Sequence, residues 1–499
     1  MPSNSYDLVV LGDDLAALVC ATLCARRGMR TLVLGDDRPA RYTLGPHKLP
    51  IEPVFWPGGG AAERVLKELH GELALRRKLR EPRIAAQIVA PELRLDLGSD
   101  RVAAELTREL GPAGEPLLER WQRGREIART FDPLLAGEHA FPGVGFFERR
   151  EVAKLVETAG EPAAAWWTET GGDPQVALWR HLAAILQRHP EPPAAAAARA
   201  LDAWFVGPPA LRGDGDAIRE LLVEKLQTAG GEVRSGAIAD ANVSWGKLAS
   251  LTLGTGDDIG CGQVVSSRTP QQLLELLGQN GSKAPKKLAE LAQAQQVAGY
   301  RYTLNVVIDE AGIPEHMAPT VAVIAAPDKP PVGDAAFSIH LGEADDTGRV
   351  VATIAALLPS DGALEPDRLT SKCMALRAGL WRRLGEVMPF FEKHLVLAHS
   401  PFEATPPQVP GGRGSYDVPR NLPLAMPPVW KGTLAQTADL GVVPYVTGLK
   451  NVTLTGDQIL PSLGIEGALV AGWSAAKVAC ALAGKKKDYL RDEVVGAAS

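Results

Sequence analysis

Cysteine is scarce and unpatterned in this chain of 499 residues: Cys20, Cys24, Cys261, Cys373 and Cys480 are an odd number with no Cys-x-x-Cys pair. That argues against a disulfide framework and a zinc knuckle, and suits a reducing compartment. A basic excess is missing too, since 53 Lys and Arg stand against 59 Asp and Glu for a net charge of −6. Without a broad positive field a general nucleic-acid binder is not expected. No His-x-x-x-His or carboxylate-rich helix marks a metal site, and the nine histidines are dispersed. Gly-x-Ser-x-Gly is absent, and no Ser-His-Asp set can be assembled from spacing. No basic region precedes the first apolar residues, Leu8 to Val10, so no signal or transit peptide is expected and a cytoplasmic location is. Gly467 to Gly484 comes near the length of a membrane span, but Lys477 and Ser474 interrupt it, which favours a buried helix.

What is present is an ordinary globular composition, 45% hydrophobic and 22% charged, in a chain long enough for about three structural units. The opening reads as strand, turn, helix and strand: Asp7 to Leu11, then Gly12, then Leu15 to Arg27 closed by Gly28, then Thr31 to Leu34. Strands without alternation and a helix apolar on nearly every face imply burial on both sides, the pattern of a parallel Rossmann-type sheet. Residues 106–187 are helix-rich and carry Trp166, Trp167 and Trp179. The segment Pro190 to Ala200 reads as a helix after a proline turn. Strand-like runs at Tyr302 to Ile308, Thr320 to Ala325, Ala336 to Leu341 and Val350 to Leu357 predict a separate antiparallel sheet. A helix around Ser371 to Glu386 and a long connection from Pro401 to Pro428 follow.

A dinucleotide fingerprint uses its first glycine for a tight turn, its second to admit a pyrophosphate and its third for helix packing. Here the register reads Gly12-Asp13-Asp14-Leu15-Ala16-Ala17. Gly12 and Ala17 fit, but Asp14 takes the second-glycine place. There its carboxylate is expected to cap the helix and compete with a phosphate. The acid expected on a ribose hydroxyl is also displaced: Gly35 stands at its place, and Asp36 comes one residue late. Arg41 is a cation that could compensate. Gly58-Gly59-Gly60 lacks the Lys-Ser/Thr of a phosphate loop and reads as a turn before a helix from Ala61 to Glu72.

At the other end Thr455-Gly456-Asp457, then Pro461-Ser462-Leu463-Gly464-Ile465-Glu466-Gly467-Ala468 and a small-residue helix resemble the closing motif of the FAD-dependent phytoene desaturase and amine oxidase superfamily. Gly213-Asp214-Gly215, the Ala-Gly-Gly-Glu-Val run at 229–233, the small hairpin Trp245 to Ile259, and Val264 to Pro270 resemble that family's middle segment. The resemblance implies an α/β fold: a discontinuous Rossmann-type FAD-binding domain from 1–95, 201–285 and 440–499, and a helical and antiparallel-sheet substrate domain from 96–200 and 286–439. It places Asp457 on the ribityl or pyrophosphate region and the backbone of Gly464, Ile465 and Gly467 at the flavin. Ile238 and Gly456 are expected nearby, and His47 near a flavin-facing loop unless it is merely solvated.

The activity implied is hydride transfer from an apolar, isoprenoid- or lipid-like substrate to FAD, in a cavity walled by the antiparallel sheet and the tryptophan-bearing helices. The other reading is a flavin-free descendant of the fold acting as a binding or assembly protein. An apolar small molecule is the expected partner. Peripheral membrane contact stays open.

Overall fold

The computed structural model describes all of the chain except residues 1–3, 37–39, 57–59, 99–100, 170–173, 213, 279–284, 361–365, 411–415 and 485–499. The opening unit forms as its pattern predicts. Strand Asn4–Leu11 is buried from Leu8 onward and pairs in parallel with Thr31–Gly35 on one side and Asp258–Ser266 on the other. Glu232–Ser235 and Val452–Leu454 extend the parallel sheet at its two flanks. A meander of Ile238–Ser244 and Lys247–Leu253 adds antiparallel strands beside Asp258–Ser266. Helix Leu15–Arg26, buried from Ala16 to Ala25, lies between that sheet, helix Asp214–Thr228 and the closing helix Gly464–Leu482.

The closing helix is the one described helix long and apolar enough to cross a membrane, and most of it is buried inside the protein. Its packing explains its small residues. A Cβ on Gly472 would stand 2.3 Å from the Ala16 carbonyl oxygen and 2.8 Å from Val19 Cβ, so the two helices meet at backbone distance.

The second sheet follows the predicted runs closely. Val297–Asp309 pairs antiparallel with Arg349–Pro359, which pairs with Ala336–Leu341, which pairs with Thr320–Ile324. Helix Pro366–Val387 covers one face, where Leu376, Leu380 and Leu384 join Tyr302, Leu304 and Ile354 in a second hydrophobic core. One expectation is corrected. The hairpin Ala86–Ala90 with Leu93–Leu97, expected largely within the FAD-binding domain, extends this second sheet by pairing in parallel with Thr320–Ile324. The other α-helices share one hydrophobic core with the parallel sheet, and Ala194–Val206 begins after Pro193 as read from the sequence.

Candidate functional site

A cleft of about 890 Å³ opens where the parallel strands end, between the two sheets and helix Ala194–Val206. It is within the size range of about 300 to 1,000 Å³ usual for small-molecule sites. Five arginines line it, Arg188, Arg199, Arg219, Arg268 and Arg301, with the carboxylates of Asp13, Asp14, Asp36, Glu52, Glu275, Asp457 and Glu466. The apolar cavity expected from the sequence is therefore corrected to a cleft of mixed lining, with ion pairs among aliphatic and aromatic side chains. The tryptophans are not its walls: Trp166 packs over Gly124 and Trp179 against Phe205 at 4.6 Å between ring centroids, both inside closed core.

The opening turn has the geometry expected of its residues. Gly12 has φ +100°, and a Cβ there would sit 2.1 Å from Ser267 Oγ, so only glycine fits. Asp14 is the N-cap of helix Leu15–Arg26 and accepts the Ala17 N–H at 2.8 Å. Asp14 is exposed to the cleft, and partial desolvation by the protein around it, with the nearby Asp457 charge, pushes its pKa up to about 7. Among the described residues Asp14 has no lysine or arginine partner.

The ribose-acid place is filled from another direction. A Cβ on Gly35 would lie 3.1 Å from Asp13 Oδ2, and Asp13 is itself ion-paired with Arg219. Asp36 accepts from Arg268 Nη2 at 2.6 Å and Nε at 3.2 Å.

On the closing side, Gly456 has φ +90° and passes 3.1 Å, measured from a Cβ position, from Asp14 Oδ2. Asp457 accepts from Arg301 Nη2 at 2.8 Å, and Glu52 lies 3.1 Å from Arg301 Nε and 3.3 Å from Arg188 Nη1. Gly464 has φ +55° and opens the closing helix. Gly467 packs so tightly that a Cβ would stand 2.2 Å from the Leu460 carbonyl oxygen. Buried Glu466 accepts from Arg199 Nε at 2.7 Å, while Arg199 Nη1 also donates to Asp132 at 2.9 Å and to the Ala128 carbonyl at 2.6 Å. Ile238 and Ile465 line the cleft beside these groups, and Ala17 sits beneath it in the helix.

Two sequence readings fall elsewhere. Arg41 pairs with Asp216 at 2.7 Å and lines a separate cavity of about 360 Å³, so it is no counter-charge for Asp14. His47 is neither in a loop nor solvated: it begins strand His47–Pro50, is 4% exposed and lines that same smaller cavity. Of the phosphate-loop run, only Gly60 lies within the described residues, and it starts helix Gly60–Leu69. Glu52, Arg188, Arg199, Arg219, Arg301 and His340 were missed by motif reading, because no local pattern sets them apart and each reaches the cleft from a different element.

These residues do not fit FAD held through a dinucleotide fingerprint. The helix N–H that a pyrophosphate would use already serves Asp14, and each arginine of the cleft already faces a carboxylate.

No family model matches the chain, and no curated protein was found to be similar. Solved structures are similar across nearly the whole chain. An oxidoreductase from Methanosarcina mazei is 12% identical with a TM-score of 0.59, covering 94% of this chain and 99% of that one. A putrescine oxidase variant is 13% identical with a TM-score of 0.57, covering 96% and 99%. A RAB GDI from Plasmodium falciparum is 10% identical with a TM-score of 0.53, covering 95% and 98%. At such identities the likeness shows the fold alone. The chain has the Rossmann-type fold of FAD-dependent oxidoreductases.

Proposed function

We propose that this chain keeps the flavoenzyme fold but works as a ligand-binding protein without resident FAD. The observation that carries this reading is Asp14, a carboxylate with no cationic partner among the described residues, seated on the helix N-terminus where a pyrophosphate would lie. A diphosphate brought there meets Asp14 and Asp457 at once and loses the N–H groups that would hold it. The remaining cleft is large, lined by aromatic and aliphatic side chains as well as ion pairs, and suited to a small molecule.

The second reading is an FAD-dependent oxidoreductase resembling phytoene desaturases, taking hydride from an isoprenoid- or lipid-like substrate. It is favoured by the closing arm, where Gly456, Asp457 and the turn Gly464 to Gly467 stand at the cleft in the order of that family's motif. FAD, when bound, would supply the hydride acceptor.

Purification of the intact protein, followed by denaturation and an absorbance spectrum of the released small molecules, separates the two. The binding-protein reading expects no flavin chromophore. One flavin per chain establishes the oxidoreductase reading in its place.

A further inference from the structure

Following the ion pairs from Asp457 through Arg301 and Glu52 leads to Arg188, the least matched cation of the cleft. Helix Pro174–Gln187 ends there, and Arg188 adopts φ +48°, a left-handed conformation that glycine takes without strain. For a residue with a Cβ it is strained. Arginine thus sits where the backbone alone favours glycine.

Its side chain, 17% exposed, borders the cleft. Nη1 shares Glu52 with Arg301, and Nη2 is buried and meets no acceptor among the described residues. A guanidinium has only donors, so the partner that Nη2 lacks is an acceptor, and because Glu52 is shared with Arg301 a second carboxylate suits it. Its planar fork matches the two oxygens of a carboxylate.

The neighbouring strand supplies neutral polar groups. Ser338 and His340, two apart on Ala336–Leu341, both line the cleft, with His340 Nε2 2.9 Å from the Ser338 hydroxyl. Burial and the Arg188 charge keep the imidazole uncharged, its pKa pushed down to about 3. Phe55, Ala200, Ala203 and Trp204 give the cleft an apolar strip beside its ion pairs. Gln187 Nε2 donates to the Ala196 carbonyl, which fixes the Arg188 end of the strip. From there to Trp204 the helix advances about 12 Å, at roughly 1.5 Å per residue.

We propose that the cleft takes an elongated apolar molecule bearing one carboxylate, anchored on Arg188 with its chain along helix Ala194–Val206. This rests on the reading of the cleft as a ligand site. Arg188 sets the preference for a carboxylate over a neutral head.

The test titrates dodecanoate and 1-dodecanol, each below micelle formation, into the full chain by calorimetry and tryptophan fluorescence. Dodecanoate is expected to bind at least tenfold more tightly than the alcohol. Arg188→Gln should remove that preference, weakening dodecanoate at least tenfold and leaving the alcohol unchanged. Arg188→Gly relieves the backbone, so it should show the same loss of affinity with a Tm no lower than wild type. Absence of dodecanoate binding, equal affinity for the alcohol, or unchanged affinity in Arg188→Gln overturns the proposal. Flavin in the purified protein would overturn the binding-protein reading by itself, and the Arg188→Gln comparison would still decide the anchor.

Discussion

The two arms of the cleft have diverged unequally from the pattern of a flavin site. The closing arm, Gly456 to Gly472, keeps its glycines, whereas the opening arm has Asp14 and Gly35 where a second glycine and a ribose-binding acid are expected. The structure gives the closing arm reasons to be glycine that involve no cofactor. Gly467 and Gly472 are each in contact with backbone, from Leu460 and Ala16, and Glu466 is held by Arg199 in a buried pair. In the opening arm Gly12 is required by its φ of +100° and by the nearby Ser267 hydroxyl. Packing alone is therefore enough to require glycine in the closing arm, whether or not a cofactor is bound there.

The strongest way to break this comparison is to put a side chain into the closing arm. Gly472→Val drives two methyls into the Ala16 carbonyl and Val19, and should cost about 3 kcal/mol or prevent folding, read as the urea midpoint or as loss of soluble protein. A substitution tolerated there with no loss would mean that packing does not hold the motif.

The buried pair is next. Arg199→Met leaves Glu466 charged and uncompensated and should cost about 3 to 5 kcal/mol in denaturant unfolding. The double variant Arg199→Met, Glu466→Met should recover much of that loss. Costs that simply add would show that the two groups do not act as a pair.

These effects concern residues whose importance the sequence reveals unevenly. Glycine at 12, 456, 464 and 467 was legible because a backbone requirement leaves a local signature. The cap formed by Asp14 was legible because a carboxylate just before an apolar helix has one obvious backbone donor within reach. Ion-pair partners were not. Arg219 meets Asp13, and Arg268 meets Asp36, across more than 200 residues of sequence, a distance that no periodicity encodes. Arg41 shows the converse: near Asp36 in sequence, it is drawn away by Asp216. The second sheet was readable as strands, but alternation alone did not show that Arg301, Ser338 and His340 would give the cleft a polar wall. Arg188 carried no signal at all, since an arginine after a helix is ordinary until its φ is known.

Because Asp14 is exposed to the cleft and screened by water, the smallest effect is in the pH dependence of stability. The fold raises the Asp14 pKa from 3.8 to about 7, so the native state holds this proton more tightly than the unfolded chain. The resulting contribution is fully present below about pH 4 and is lost as pH rises toward 7 and above. Asp14→Asn keeps a capping oxygen without the charge. Its stability relative to wild type should therefore improve between pH 4 and 8, followed as the difference in urea midpoints. A constant difference across that range would mean that the carboxylate titrates normally.

The central claim is that the opening arm, and Asp14 within it, keeps FAD out of a fold built like a flavoenzyme. FAD titrated into apo wild-type protein and into Asp14→Gly at pH 8, followed by quenching of flavin fluorescence, tests it most directly. The account predicts no saturable binding to wild type at micromolar protein and a gain of at least tenfold in Asp14→Gly. Tight, stoichiometric binding to wild type with no gain from Asp14→Gly would contradict it.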